Sequence, residues 1–518
     1  MSQKNKKLSM WGLVFMVLSV VYGFNNIPRA FYLMGYSAIP FYILAAIVFF
    51  VPFAFMISEY GAAFKNEKGG IFSWMEICVN TKYAFLVTFM WYASYVIWLV
   101  MITTTLMIPV SNAIFGTDTT STWSLFGLNS TQTLGIISVG LILLVTWCST
   151  RGMDKIKKFA DIGGISSIVI IAVLVVGSLA VLIGNHGQIA QPVLDNALTK
   201  SPNPMYQSGL QIVSFFVYAL FAYGGTEAVG GLVDETENPE KNFGKGLSIA
   251  AGIIAGGYAL GIFMVGIFTN WSTILSSPLI NKGNASYVIM NNLGYQIGSA
   301  FGFDKGICIE MGNDVSRLMA ILNLIGLIGA LVILAYSPLK QLIGGSPKGL
   351  FSERFSEMKD DIPKFAMWIQ CAVVIVFNLA ISMGGEAAAT FFNIIVTMTN
   401  VSMTLPYMFI AIAFIYFKRN DSIEKPYVIF KKKKVGIIFA LLVTLAVGFA
   451  NIFTVIEPAV DGDIMTTVWS IVGPIVFSTA ALILYKRYEI RLRKHNMTVD
   501  EHGNVTAATP SDEIKDIG

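Results

Sequence analysis

Twelve stretches of this sequence run apolar for about 20 residues each, the length a helix needs to cross the roughly 30 Å hydrocarbon core of a bilayer. They lie near 11–33, 38–60, 84–111, 131–150, 163–184, 207–232, 246–269, 315–336, 364–383, 387–416, 434–455 and 467–486. Across 518 residues, 55% are apolar and only 13% charged, and mean hydropathy is +0.67. The chain therefore reads as an all-α integral membrane protein with twelve transmembrane helices. The basic head "MSQKNKKLSM" imitates a secretory signal, but the run behind it carries Asn25, Asn26 and Arg29 and ends in no small-residue cleavage site.

Lys and Arg favour the cytoplasmic ends of such helices. With the N-terminus inside, they gather in "KNKK", 65–82, "RGMDKIKK", "NPEKNFGK", "SPLKQLIGGSPKGLFSERF", "FKRNDSIEKPYVIFKKKK" and the tail from Lys486. Of the 35 basic residues, only Lys200, Lys282, Lys305 and Arg317 fall on the other side, with Arg29 inside a span. An odd number of spans would scramble this sorting. The expected organisation is a cytoplasmic N-terminus (1–10), a twelve-helix domain (11–486) and a cytoplasmic tail (487–518) that reads as disordered. The chain is placed in the cell (inner or plasma) membrane with both termini cytoplasmic. Residues 284–298 are too short to span and read as a helix over the outer mouth, and 69–80 as a segment along the inner surface.

The net charge of +4 follows from these topological anchors, so it points to lipid contact and not to nucleic acid. Cys78, Cys148, Cys308 and Cys371 show neither metal spacing nor a disulfide framework. His186, His495 and His502 fall in loops or the tail, which leaves no ligand set for a zinc hydrolase or haem protein inside the bundle. No Walker loop is present for nucleotide-driven transport. No metal, cofactor or enzymatic activity is expected, since no nucleophile, base or metal set can be assembled.

Two spans are interrupted near mid-membrane. In "VVYGFNNIPRAF", Gly23 weakens the helix, Pro28 removes an amide donor, and Asn25 and Asn26 offer competing hydrogen bonds. In "FAYGGTEAVGG", Gly224 and Gly225 act likewise. Taken alone, a glycine pair in a membrane helix is more often a packing site, and a proline a kink. Here the breaks occupy positions one and six, matching members of two five-helix halves, which points to inverted repeats at about 11–184 and 207–416 followed by helices 11 and 12. Unwound backbone in lipid costs several kcal/mol per group, so it must face protein or a wet cavity. In such a site half-helix N-termini meet a carboxylate and free carbonyls an ammonium, which suits an amino acid.

The run "AYGGTEAVGGLVDETENPEKNFGKG" resembles the sixth helix and following loop of the amino acid, polyamine and organocation (APC) transporter superfamily. "YGFNNIPRAFYLMGYS", "SEYGAAFKNEKGGIFSW" and "YSPLKQLIGGSPK" narrow the resemblance to the glutamate:GABA antiporter family, including its YjeM-like branch, over residues 8–490. The resemblance implies a LeuT-like APC fold with discontinuous helices 1 and 6. It implies substrate contact at Gly23, Phe24, Asn25, Asn26 and Ile27, and at Phe221, Ala222, Tyr223, Gly224 and Gly225. Tyr223 either closes over the ligand or packs between helices. Glu227 is expected to organise the unwound segment, or else to snorkel toward the inner surface. Asp234 and Glu235, beside Lys241 and Lys245, read as solvated loop residues, with an inner gate as the sharper alternative. Arg29 demands an anion. The expected partner is Glu386, or Asp314, in an outer gate; the competing reading is an acidic substrate.

Helix eight offers no hydroxyl pair for sodium, and 163–182 of helix five no lysine for proton coupling. The expected function is thus a secondary active amino acid transporter, an amino acid permease working as an antiporter by alternating access. Proton-coupled symport, and an amino acid sensor or channel, are the alternatives. The expected partners are a small-molecule amino acid or related amine and the lipid bilayer, with the chain a monomer or weak homodimer. Glutamate, GABA and neutral amino acids are the candidate substrates.

Overall fold

The computed structural model describes residues 7–193, 196–495, 497–499 and 505–507. Among the described residues, eleven helices are long and apolar enough to cross a membrane, and the shorter apolar helix Met10–Val21 adds to them. That helix is capped by Ser9, whose hydroxyl accepts the Gly12 amide. It stops at Tyr22, and the chain resumes as Asn26–Met34, so crossing 1 is two half-helices. Gly35 then turns the chain at φ 58°, and a Cβ there would come 2.7 Å from the Pro202 ring, so both conformation and space require glycine.

Crossing 2 returns as Ala38–Ala45, a π-turn at Ala46–Phe50 and Val51–Ala63. Crossing 3 is Thr81–Thr105, extended by Met107–Phe115; crossings 4 and 5 are Ser130–Ser149 and Met153–Gly184. Crossing 6 is Gly209–Phe221 followed, after a break, by the tighter 3₁₀ turns of Thr226–Leu232. Crossings 7 to 12 are Pro239–Phe268, Lys305–Gly345, Lys364–Met383, Gly385–Arg419, Lys433–Val460 and Ile464–Lys494. Twelve crossings leave both described ends on one face of the bundle, here the terminal face; the opposite side is the far face.

Hydropathy marks where lipid is, not where helices end. Crossing 8, expected at 315–336, runs 41 residues, because "KGICIEMGND" on one side and "SPLKQLIGG" on the other stay helical beyond the expected run. Crossing 12 likewise continues to Lys494, past the expected end at 486, and 497–499 pair antiparallel with 505–507. The rest of the tail expected to be disordered lies outside the described residues. Ala285–Ala300 forms the short non-spanning helix and packs on crossings 5 and 8, while Ile71–Cys78 forms the helix on the terminal face.

The interior is aromatic: Trp74, Trp91, Tyr42, Tyr60, Tyr223 and Tyr258 are fully buried. Apolar side chains such as Leu144, Val176, Leu445 and Ile475 project outward, as a lipid-facing surface requires. Crossings 5 and 8 meet through glycine, since a Cβ at Gly163 would lie 3.1 Å from Gly329 Cα.

Candidate functional site

The two breaks lie side by side and share one side chain. The Tyr258 hydroxyl, from crossing 7, accepts the Gly23 amide at 3.0 Å and Asn26 Nδ2 at 3.2 Å. Its own hydrogen reaches the Val21 or the Ala222 carbonyl, each 3.3 Å away. Asn26 Nδ2 also donates to Ala222 O at 3.4 Å. One hydroxyl thereby takes up groups that unwinding freed in both crossings, which lowers the cost of leaving them unpaired.

Other freed groups stay open. The amides of Phe24 and Asn25, at the N-terminal end of Asn26–Met34, donate to nothing among the described residues. The carbonyls of Ser19 and Val20, at the C-terminal end of Met10–Val21, accept nothing there either. Asn25 Oδ1 is buried without a partner among the described residues, while its Nδ2 donates to Asn323 Oδ1 of crossing 8 at 3.3 Å. These groups border a cavity of about 850 Å³, within the range of small-ligand sites. Its lining runs from Ser19, Val20 and Leu334 up to Lys282, Gly283 and Glu457 on the far face.

Beside the sixth-crossing break sits Glu227, wholly buried. Its Oε1 accepts from Trp91 Nε1 (3.1 Å), the Tyr95 hydroxyl (3.0 Å) and the Tyr407 hydroxyl (3.2 Å). Its Oε2 accepts the Gly225 amide at 3.2 Å, and that amide also donates to Tyr407 at 3.1 Å. Gly225 holds φ 112°, in the left-handed region that favours glycine, and this turns its amide back toward Glu227. Crossings 3, 6 and 10 are joined by this one carboxylate without a cation among the described ion pairs.

A sequence model of amino acid permeases matches residues 8–477. The chain belongs to the amino acid permease family. It is 46% identical over 492 residues to the inner membrane transporter YjeM of Escherichia coli K12, covering 95% of this chain and 98% of that one. It is 27% identical over 340 residues to the aspartate/glutamate permease AcaP of Lactococcus lactis subsp. cremoris (65% and 64% covered). It is 21% identical over 504 residues to a glutamate/gamma-aminobutyrate antiporter of L. lactis subsp. lactis (96% and 93% covered). The protein is a multi-pass membrane transporter of the APC superfamily and not an enzyme.

Of the residues expected to bind substrate, Gly23, Phe24, Asn25, Asn26, Phe221, Ala222 and Gly224 line the permease's cavity. Three stand behind it. Ile27 packs toward Gly261 of crossing 7, Tyr223 stacks on Phe50 with its hydroxyl donating to the Tyr42 carbonyl at 3.2 Å, and Gly225 serves Glu227. Arg29 lines the cavity and donates through Nε to the Lys282 carbonyl at 2.8 Å. The structure does not bring it to either expected acid: Asp314 pairs with Arg317 at 3.8 Å, and Glu386 is exposed without an ion pair among the described residues.

The reading of Asp234 and Glu235 as solvated is corrected by a residue 106 positions beyond Asp234. Lys340 of crossing 8 is wholly buried, 2.8 and 3.0 Å from the two Asp234 oxygens and 3.9 Å from Glu235, which also lies 3.8 Å from Lys157. An ammonium buried there needs both acids, which therefore fold inward. One turn before it, the Ser337 hydroxyl bonds the Ala228 carbonyl, and the adjacent Gln341 donates through Nε2 to the carbonyls of Glu227 (3.3 Å) and Ala228 (3.2 Å). Leu8 adds two backbone bonds of 2.8 Å, to Glu235 and from Glu237. Crossings 2 and 10 are fastened by Glu59 and Lys418 at 2.8 Å, both buried, and Glu59 also accepts the Ile429 (2.9 Å) and Phe430 (2.8 Å) amides. Lys340, Gln341 and Glu59 sit inside motifs that carried the family resemblance, so they were visible without a role; Tyr258, Trp91, Tyr95 and Tyr407 had no distinguishing signal.

Proposed function

We propose that this permease is a secondary active transporter that exchanges amino acids by alternating access, with both termini in the cytoplasm. The observation that carries the reading is the pair of breaks held against one cavity by the Tyr258 hydroxyl. A substrate carboxylate suits the open amides of Phe24 and Asn25, where the dipole of Asn26–Met34 is positive. An ammonium suits the open carbonyls of Ser19 and Val20 and the Asn25 Oδ1 atom. Two matching open ends of opposite polarity favour a zwitterion over a simple cation or anion. Glutamate/gamma-aminobutyrate antiporters among the relatives support exchange, and the basic residues gathered on the terminal face support its cytoplasmic placement.

The test is counterflow in proteoliposomes loaded with a mixed amino acid pool. Uptake of labelled amino acid that occurs only with amino acid inside supports exchange. Proton-coupled symport is the second reading, favoured by Glu227, a carboxylate at the break with no cationic partner among the described ion pairs. Uptake into amino acid-free vesicles driven by an inward proton gradient would replace exchange with symport. Absence of movement of any amino acid under both conditions would overturn both readings.

A further inference from the structure

We propose that Arg29 selects substrates with an anionic side chain, its guanidinium pairing with the distal carboxylate while the main-chain ends lie at the breaks. The inference rests on the proposed reading of the cavity as the substrate site. Arg29 begins the second turn of Asn26–Met34, its amide bonded to the Asn25 carbonyl at 3.2 Å. It therefore stands about 6 Å along the helix axis from Asn25. A short side chain extending from a zwitterion at the break, together with the arginine's own length, spans that separation.

The guanidinium is half-buried in the cavity wall and only partly used. Its Nε is fixed by the Lys282 carbonyl, which orients the planar fork. Both Nη groups have no partner among the described residues, although an arginine in such a wall normally acquires a carboxylate. Asp314 is turned to Arg317, and no described carboxylate forms an ion pair with Arg29. Among the described residues, the charged side chains lining the cavity are Arg29, Lys282 and Glu457, two cations to one acid. A dicarboxylic amino acid brings the missing charge and accepts the two Nη groups in bidentate fashion. A neutral amino acid leaves them to water, which the wet cavity permits at no gain.

The same geometry sets the test against a gating or structural role for Arg29. The full-length protein is reconstituted and exchange is measured with labelled glutamate and with its neutral isostere glutamine. The wild type is expected to favour glutamate, and Arg29→Gln to lower kcat/KM for glutamate by about 10- to 100-fold, as loss of hydrogen bonds to a charged group does, with glutamine changed less than about threefold. Equal losses for both substrates, an unchanged glutamate value, or a wild type that prefers glutamine would each overturn the proposal. Should Arg29→Gln not reconstitute as a monodisperse protein, Arg29→Lys carries the test. It keeps the charge but lacks the fork, so KM rises for glutamate alone; a rise for both would overturn it. A wild type that exchanges glutamine and not glutamate sinks the inference and leaves the proposed function standing. A wild type that moves no amino acid sinks the proposed function first.

Discussion

On the far-face side of the breaks, Arg29 is held, among the described residues, by a single carbonyl at the edge of a cavity of about 850 Å³. On the terminal-face side, the same two crossings are closed by Lys340 against Asp234 and Glu235, by Ser337 and Gln341 against the backbone of crossing 6, and by Leu8 against the loop after it. One half opens into the cavity and is loosely tied; the other is closed and cross-linked by polar groups that are buried or nearly so. The proposed alternating access would reverse these roles, so under it the terminal-face bonds must be strong enough to close that side yet few enough to break together. Paired hydrogen bonds and ion pairs fit that need. Each contributes little net while made, and each costs heavily if only one partner is lost.

The comparison breaks first at Glu59 and Lys418. Glu59→Ala leaves a buried ammonium unpaired and is expected to destabilise the protein by about 3–5 kcal/mol, read by thermal unfolding in detergent. Glu59→Ala with Lys418→Met should recover part of that loss, the Ile429 and Phe430 amides staying without their acceptor; no recovery would mean that the pair is not what fastens crossings 2 and 10. Next is Tyr258→Phe, which strips the hydroxyl from both breaks. With about 1–3 kcal/mol at stake in orphaned polar groups, amino acid exchange should fall by about 10- to 100-fold while the protein still folds. Full activity would show that the breaks hold their shape without it.

A smaller effect sharpens the asymmetry. Asp234→Asn weakens the clasp on Lys340 and is expected to shift the population toward opening at the terminal face by about 1–2 kcal/mol. In a background lacking Cys78, Cys148, Cys308 and Cys371, a cysteine at Leu334, at the cavity floor, should then label faster with an impermeant thiol reagent applied from that face. Unchanged labelling would remove Asp234 from the seal. The smallest effect is expected at the exposed Glu386: Glu386→Gln should leave exchange within about twofold, as isolated surface changes do. Rescue of Arg29→Glu by Glu386→Arg would instead establish that the two meet in another conformation.

Much of this layout was legible beforehand because its causes are local. The first break is written in Gly23, Asn25, Asn26 and Pro28, and the sixth in Gly224 and Gly225, since a glycine or proline weakens its own helix whatever surrounds it. Asp234 was misread for the opposite reason. Its neighbours in sequence, Lys241 and Lys245, suggested a solvated loop, and the lysine that holds it lies in a different crossing. Tyr223 and Tyr258 look alike in sequence, both aromatic residues beside glycine in apolar runs. Only the packing shows that one fills space against Phe50 while the other bridges two breaks.

By itself, the sequence determined the solvent, the twelve crossings and the two places where a helix must give way. Lipid admits only backbone that bonds within its own segment, so long apolar runs and their interruptions carry that information directly. The tertiary structure alone decided what those interruptions hold on to: Gly23 reaches Tyr258 across 235 positions, Asn25 reaches Asn323 across 298, and Glu227 reaches Tyr407 across 180. A hydroxyl or amide in an apolar helix gives no sign in sequence of the direction it faces. Packing sets that direction, and packing is a property of the whole bundle.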